Sequence, residues 1–108
     1  MHPLSMRALA GALATALALP ALAADPTLSK IQSSGTLTIG YRKDASPLSY
    51  VDASGQPIGY AIDLCQQLAA RIQSQLKLPT LQIQYVPVTM AERFDRIADG
   101  KIQLECAD

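Results

Sequence analysis

The chain has 108 residues, and its nine basic and nine acidic side chains balance to a formal net charge of zero. The basic residues are scattered and form no stripe with interleaved aromatics, which excludes a nucleic-acid-binding surface. The only histidine, His2, lies at the extreme N-terminus. With no other histidine, no activated serine and no glycine-rich phosphate loop, the sequence offers no catalytic constellation, and we predict no cofactor and no metal site.

The N-terminus has the pattern of an export signal. A short basic segment, 1–7, precedes an apolar run over 8–19, and Pro20 breaks the run before the small-residue site Ala21-Leu22-Ala23. The run is about a dozen residues long against the roughly 20 needed to span a bilayer, so a membrane anchor is the poorer interpretation. We predict a signal peptide over residues 1–23 and a mature chain of about 85 residues outside the cytoplasm, the size of one small domain.

The mature chain is predicted to begin with a short helix, a strand and a hairpin. A helix is expected over 27–32, with Thr27 as its cap and Ser33-Ser34-Gly35 as the signal that ends it. Apolar and polar residues alternate over 36–41, which predicts a strand. The stretches 48–51 and 56–59 flank a turn that contains aspartate and glycine, and they are expected to pair as a hairpin.

The strongest helix signal covers residues 60 to about 77. Apolar residues recur there at three- and four-residue steps, and Asp63 lies in the first turn, where the helix dipole favours a carboxylate. The apolar face is expected to contain Ala61, Ile62, Cys65, Leu68, Ala69, Ile72 and Leu76. Alternation over 81–86 predicts the second main strand.

Thr89 and Glu92 have the spacing of a capping box, which predicts a second long helix over about 90–99. Phe94, Ile97 and Ala98 are expected to form its apolar face. A third main strand follows over 102–106. The order strand, helix, strand, helix, strand predicts an α/β fold, with a mainly parallel sheet and helices on both faces.

Arg42 follows the first main strand directly. Ligands of open α/β sheets bind beyond the carboxyl ends of the strands, so this guanidinium is aimed at the predicted crevice. The alternative is an exposed residue on the rim of the hairpin, paired with Asp44. We favour the ligand-binding role because of the position after a central strand.

The chain stops at Asp108, directly after the third main strand. No helix or capping segment follows to cover the sheet, and an uncovered edge invites aggregation. We therefore expect this sequence to be the N-terminal part of a longer protein.

Several segments together resemble the first lobe of periplasmic amino-acid-binding proteins of ABC importers, the bacterial extracellular solute-binding proteins of family 3. Shared with that family are the strand 37–40, Ser46-Pro47-Leu48-Ser49-Tyr50, the helix entry Gly59-Tyr60-Ala61-Ile62-Asp63-Leu64, Phe94, and Gly100-Lys101-Ile102. The glutamate/aspartate-binding branch is the most similar, on the evidence of Tyr41-Arg42-Lys43-Asp44, Pro87-Val88-Thr89 and Glu105-Cys106-Ala107.

The resemblance implies a type II periplasmic binding protein, in which two α/β lobes close over one amino acid. Residues 24–108 would then be an incomplete first lobe, and the arginine for the ligand's α-carboxylate would lie beyond the chain. The implied protein is a periplasmic monomer that captures glutamate or aspartate and passes it to an ABC permease in the inner membrane.

The resemblance also implies specific ligand-binding residues. Arg42 and Arg93 would hold the side-chain carboxylate of the ligand, while Met90 and Asp108 would line the same wall. Met90 stands where the branch commonly has a small hydroxyl residue, and Asp108 about where the family often has serine or threonine. Without the resemblance, Arg93 is better interpreted as a solvated helix residue beside Glu92.

Cys65 and Cys106 are the only cysteines, and export would permit a disulfide between them. Both are expected at the same height of the sheet. Two buried thiols, or a bond to a cysteine beyond the chain, are equally open alternatives.

Two rival functions remain on the same fold. One is an exported dehydratase of aromatic-amino-acid precursors, which would need Glu105 or Asp108 as its acid or base. The other is a ligand-sensing domain of a signalling receptor. We favour a binding protein, not an enzyme, because no catalytic group other than these carboxylates is in view.

Overall fold

A computed structural model of the protein describes Gly11 and residues 25–107. Apart from Gly11, the predicted signal peptide lies outside the described residues, as does Asp108. The secondary structure runs in the order α1 (Pro26–Ser34), β1 (Thr36–Tyr41), β2 (Asp44–Ala45), β3 (Ser49–Val51), β4 (Pro57–Ile58), α2 (Tyr60–Gln75), β5 (Gln82–Pro87), α3 (Arg93–Ala98) and β6 (Leu104–Cys106).

Three strands form a parallel sheet in the order β5-β1-β6. In its register Gly40 lies beside Val86 on one side and Glu105 on the other. Strand β1 is therefore central, and its Leu37 and Ile39 are completely buried. This arrangement confirms the predicted α/β fold with a mainly parallel sheet, and strand β1 has the predicted bounds.

The core fills the face of the sheet that carries Leu37, Ile39 and Tyr41. Buried Ile31 from α1 and Ile62 and Ala69 from α2 pack against these side chains. On the opposite face, a Cβ added at Gly40 would lie 2.5 Å from Cδ1 of Ile102 and 3.3 Å from Cγ1 of Val88. At Gly40 the second face of β1 is thus also closely covered, and the missing side chain leaves room for the segments that flank α3.

Helix α1 begins one residue earlier than predicted, because its cap is Asp25 and not Thr27. The Asp25 carboxylate accepts a hydrogen bond of 2.9 Å from the Thr27 amide. Pro26 then occupies the first turn, where its missing N–H leaves no unsatisfied donor. The helix runs two residues past the predicted Gln32, to Ser34, and it ends at Gly35, which adopts a φ of 67° and whose amide donates to the Ile31 carbonyl at 2.8 Å.

Helix α3 is shorter than predicted, and its apolar side chains are not buried. The capping-box hydrogen bonds form, with the Thr89 amide 3.0 Å from Glu92 Oε1 and the Glu92 amide 3.3 Å from Thr89 Oγ1. Residues 90–92 form a turn, and the helix starts at Arg93. Phe94 is 68% exposed, and Ile97, Ala98 and Leu68 of α2 are exposed as well, because no described element covers those sides.

The predicted hairpin is confirmed as β3 and β4, and the unpredicted strand β2 extends it to a separate antiparallel sheet. Asp52 organises the turn, accepting from the Ser54 hydroxyl at 2.7 Å and from the Gln56 amide at 2.9 Å. These bonds, the Ser54 hydroxyl first, lower the pKa of Asp52 below its ordinary value. The small sheet places Asp44 and Ser49 next to the end of β1.

A disulfide joins Cys65 of α2 to Cys106 of β6, with a sequence separation of 41 and 6.3 Å between their Cα atoms. The bond links the helix to the last strand of the parallel sheet. Of the three alternatives considered from the sequence, the structure contains the intrachain pairing.

We expect Gly59→Ala to destabilise the protein by about 2 to 4 kcal/mol. Gly59 precedes α2 with a φ of 131°, and an added Cβ would overlap the Leu48 carbonyl oxygen. That carbonyl accepts the Ala61 amide of the first turn at 2.9 Å, so it cannot move away without breaking this bond. Urea denaturation measures the loss.

Gly55→Ala is the matched control for this substitution. Gly55 also has a positive φ, 83°, but nothing lies within 4 Å of an added Cβ. Only the backbone cost of about 1 kcal/mol is then expected. Equal losses for the two variants would show that the contact with Leu48 is unimportant.

Candidate functional site

A cleft of about 410 Å³ lies beyond the carboxyl ends of β1 and β5. It is lined by Arg42, Lys43, Asp44, Pro87, Val88, Thr89, Met90 and Glu92. After β1 the chain moves to β5 on one side and returns to β6 on the other, so the strand order reverses around β1. Open α/β sheets bind ligands at such a place, which makes this cleft the candidate site.

Arg42 lines the cleft, as the sequence predicts, and it also pairs with Asp44, as the alternative interpretation requires. Its Nε and Nη2 donate to Asp44 Oδ1 at 3.3 and 3.1 Å. The Arg42 side chain is 17% exposed, whereas the Asp44 side chain is 78% exposed. The Arg42 side chain is thus largely shielded from solvent within the wall, and its counterion lies at the rim.

Ser49 fixes the backbone of Arg42. Its hydroxyl accepts from the Arg42 amide at 2.9 Å and donates to the Arg42 carbonyl at 2.9 Å. Ser49 is completely buried and is the only buried polar residue among those the structure describes. One hydroxyl therefore satisfies both backbone groups at the point where the chain leaves β1.

We expect Ser49→Ala to lower the free energy of unfolding by about 1 to 3 kcal/mol, because it leaves a backbone donor and acceptor without their partner. Ser33→Ala is the control, since the exposed Ser33 hydroxyl donates to Lys30 and should contribute less than about 0.5 kcal/mol. Thermal unfolding of both variants provides the comparison. Equal melting temperatures for the two would contradict the role given to Ser49.

Residues 87–92 supply the opposite wall. Val88 is buried, and its amide donates to the Tyr41 carbonyl at 2.8 Å, which attaches this segment to the end of β1. Met90 is 53% exposed and lines the cleft, as predicted. Four further polar lining residues were not singled out as ligand-binding from the sequence: Lys43, Asp44, Thr89 and Glu92. Their position just after a strand was the signal that could have identified them.

The other two predicted ligand-binding residues are not in this lining. Arg93 is half-buried at the start of α3, and its guanidinium carbon lies 4.6 Å from the centre of the Phe94 ring. That geometry is a cation–π contact. Asp108 lies outside the described residues. The structure therefore brings Arg42 and Met90 together in one lining, and the ligand-binding roles of all four residues stay predictions.

The charges of the lining residues balance. Arg42 and Lys43 are cationic, and Asp44 and Glu92 are anionic. Glu92 is engaged through Oε1 by the Thr89 amide, so part of its charge is already hydrogen-bonded. Across residues 25–107, no cluster of three potential metal ligands occurs. Among the same residues, no helix has the length and apolar character needed to cross a membrane.

Comparison with known proteins places the chain in a family. Residues 37–108 match the family described as bacterial extracellular solute-binding proteins, family 3. The chain is similar to an L-glutamate/L-aspartate-binding protein of Pseudomonas aeruginosa, with 37% identity over 81 residues that cover 74% of this chain. It is 33% identical over 84 residues, 78% of the chain, to a glutamate/aspartate import solute-binding protein of Escherichia coli. The chain spans only 27% and 28% of the lengths of these two relatives.

Solved structures agree on the fold. An ancestral cationic amino acid solute-binding protein superposes with a TM-score of 0.65 at 30% identity, over 75% of this chain and 32% of that one. The same ancestral protein is described as a precursor of cyclohexadienyl dehydratase. Domain 1 of the arginine-binding protein TmArgBP superposes with a TM-score of 0.63 over 74% of this chain and 57% of that domain. At 24% identity this last match shows the fold alone, that of the first lobe of a type II periplasmic binding protein.

Proposed function

Because the chain belongs to family 3 of the bacterial extracellular solute-binding proteins, we propose that it builds one wall of a cleft that captures an acidic amino acid. The proposed ligands are L-glutamate and L-aspartate, which two relatives in the glutamate/aspartate-binding group are named for. The ligand is delivered to an ABC permease in the inner membrane. Residues 24–108 are the incomplete first lobe of this two-lobed protein, and a second lobe closes over the ligand.

One observation carries the choice of an acidic ligand: Arg42 lies in the cleft wall with its side chain only 17% exposed. A guanidinium offers a planar fork of donors that matches a carboxylate, and these charge-assisted bonds are about twice as strong as neutral ones. The same charge repels the side chains of arginine and lysine. One ancestral relative is named for cationic amino acids. Its similarity to this chain supports the proposed fold more than it bears on the choice of ligand.

The proposed binding step uses charge-assisted hydrogen bonds in a cleft that shuts by hinge motion. Arg42 receives the side-chain carboxylate, with Ser49 holding its backbone in place. Met90 offers an apolar surface to the ligand's methylene groups. In this proposal Arg93 contributes a second cation, and Asp108 lines the same wall. Both residues are therefore predicted to contact the ligand.

Export to the periplasm fits this role. We propose that residues 1–23 are a cleaved signal peptide, as their sequence pattern predicts, and that the mature protein acts as a monomer. The family is one of extracellular proteins, which supports a location outside the cytoplasm.

Calorimetric titration of the complete protein tests the proposal. The ligands to compare are L-glutamate, L-aspartate, L-glutamine, L-arginine and L-lysine. We expect the two acidic amino acids to bind most tightly. Tightest binding of arginine or lysine would reject the role given to Arg42, and binding of none of the five would reject the proposed function.

A second candidate is a dehydratase that acts on a prephenate-like substrate. The observation in its favour is the similarity to an ancestral binding protein described as a precursor of cyclohexadienyl dehydratase. The acid or base would be Glu105, in β6, or Asp108. Release of phenylpyruvate from prephenate by the complete protein would favour this enzyme over a binding protein.

A further inference from the structure

The ion pair between Arg42 and Asp44 is a feature of the cleft wall that the proposed function does not use. Asp44 Oδ1 engages both Nε and Nη2 of Arg42, so the carboxylate covers the side edge of the guanidinium. A guanidinium has a second edge, formed by its two terminal nitrogens, that can hold another carboxylate. The ligand and Asp44 would therefore share one cation.

We infer that Asp44 is a specificity-determining residue: its carboxylate shares Arg42 with the ligand and weakens the binding of anionic side chains relative to neutral ones. This inference rests on the proposed function, since it concerns how the same cleft distinguishes ligands by charge. Asp44 would thereby set the selectivity between L-glutamate and its neutral analogue L-glutamine.

The positions of Arg42 and Asp44 favour a role in ligand selectivity over an ion pair that serves only stability. The Asp44 side chain is 78% exposed, so pairing with Arg42 adds little to stability. The backbone of Arg42 is already fixed by Ser49, so the path of the chain at the end of β1 does not depend on the ion pair. Both residues line the cleft, so a ligand carboxylate bound to Arg42 lies close to the carboxylate of Asp44.

The charge balance of the cleft points the same way. In the cleft lining, the two cations Arg42 and Lys43 are balanced by two carboxylates. These belong to Asp44 and Glu92. Two carboxylates on one guanidinium lie about 6 Å apart, and their repulsion in a solvent-exposed setting corresponds to about three- to tenfold in affinity. Neutralising Asp44 removes this repulsion and leaves the wall with an excess positive charge.

The test measures the affinities of L-glutamate and L-glutamine for the complete protein and for two variants. Asp44→Asn keeps an oxygen that can accept from Arg42 but removes the charge. Asp63→Asn makes the same charge change in the first turn of α2, on an exposed residue outside the cleft lining. We expect Asp44→Asn to tighten glutamate binding by about three- to tenfold and to change glutamine binding less than about twofold.

Salt provides a second readout. At 1 M ionic strength the Debye length falls to about 3 Å, so the gain in glutamate affinity should shrink. The Asp63→Asn variant should match the parent protein for both ligands. A similar gain in that variant would mean that overall charge, and not Asp44, sets the selectivity, which would overturn the inference.

Three other results would also overturn it. Weaker glutamate binding by Asp44→Asn would show that Asp44 positions Arg42 for the ligand instead of competing with it. An equal gain for glutamate and glutamine, or no change for either, would remove the link to ligand charge. If the parent protein binds neither amino acid, the failure belongs to the proposed function, because the comparison then has no starting affinity.

Discussion

Arg42→Met is expected to weaken L-glutamate binding by the complete protein by about 10- to 100-fold. Hydrogen bonds to charged groups are worth about 1.5 to 3 kcal/mol, and each 1.4 kcal/mol corresponds to tenfold in affinity. Arg42 is placed to make such bonds because it lines the cleft and is largely shielded from solvent. Methionine keeps the length of the side chain and removes the charge and the donors.

Two further variants separate the possible causes of this loss. Arg42→Lys keeps the charge but not the planar fork, so it should fall between the parent protein and Arg42→Met. Arg71→Met removes a cation from the exposed surface of α2 and should leave the affinity unchanged. Calorimetry measures all three affinities, and an unchanged affinity in Arg42→Met would refute the proposed ligand contact.

Folding should change little in the Arg42→Met variant. The ion pair that is lost has a partner at the rim, Asp44, whose side chain is 78% exposed, and such pairs contribute about 0 to 1 kcal/mol. A melting temperature close to that of the parent protein would therefore accompany the loss of binding. A large fall in stability would mean that the binding loss cannot be assigned to the ligand contact alone.

Reduction of the Cys65–Cys106 disulfide is expected to lower the free energy of unfolding by about 3 to 4 kcal/mol. The bond closes a loop with a sequence separation of 41, which restricts the unfolded chain. It also connects α2 to the buried end of β6, where Cys106 is 2% exposed. Urea unfolding with and without a phosphine reductant measures the difference.

The double variant Cys65→Ala/Cys106→Ala is the control for the reductant. It should be destabilised to a similar extent and should not respond to the reductant at all. Reaction of the native, unreduced protein with a thiol reagent should show no thiol from these two residues. Identical unfolding midpoints with and without reductant in the parent protein would contradict the stabilising role of the bond.

Signals confined to neighbouring residues predicted much of the fold. Strand β1 has the bounds that its alternation indicates, because buried Leu37 and Ile39 alternate with half-buried Thr36 and Thr38. The glycine at position 35 ends α1, and its positive φ explains why this residue type was a reliable signal. The parallel sheet followed from the order of the elements and their short links.

Local patterns were less informative about which faces are covered. Phe94 and Ile97 lie on an apolar side of α3, and Leu68 on a similar side of α2, yet all three are exposed. A helical period shows that apolar residues share a face, but burial depends on which distant segments pack there. The length of α3 was also beyond a local pattern. Its capping box forms as predicted, yet residues 90–92 adopt a turn and not the first turn of the helix.

By itself, the sequence determined the α/β fold, the parallel order of its strands and the place of Arg42 at the carboxyl end of the first one. Only the tertiary structure decided that Arg42 shares its charge with Asp44, that buried Ser49 holds its backbone, and that residues 87–92 form the facing wall. The physical reason is distance along the chain. Strand and helix signals act between near neighbours, whereas a cleft is made by segments that only the packing of the sheet brings together.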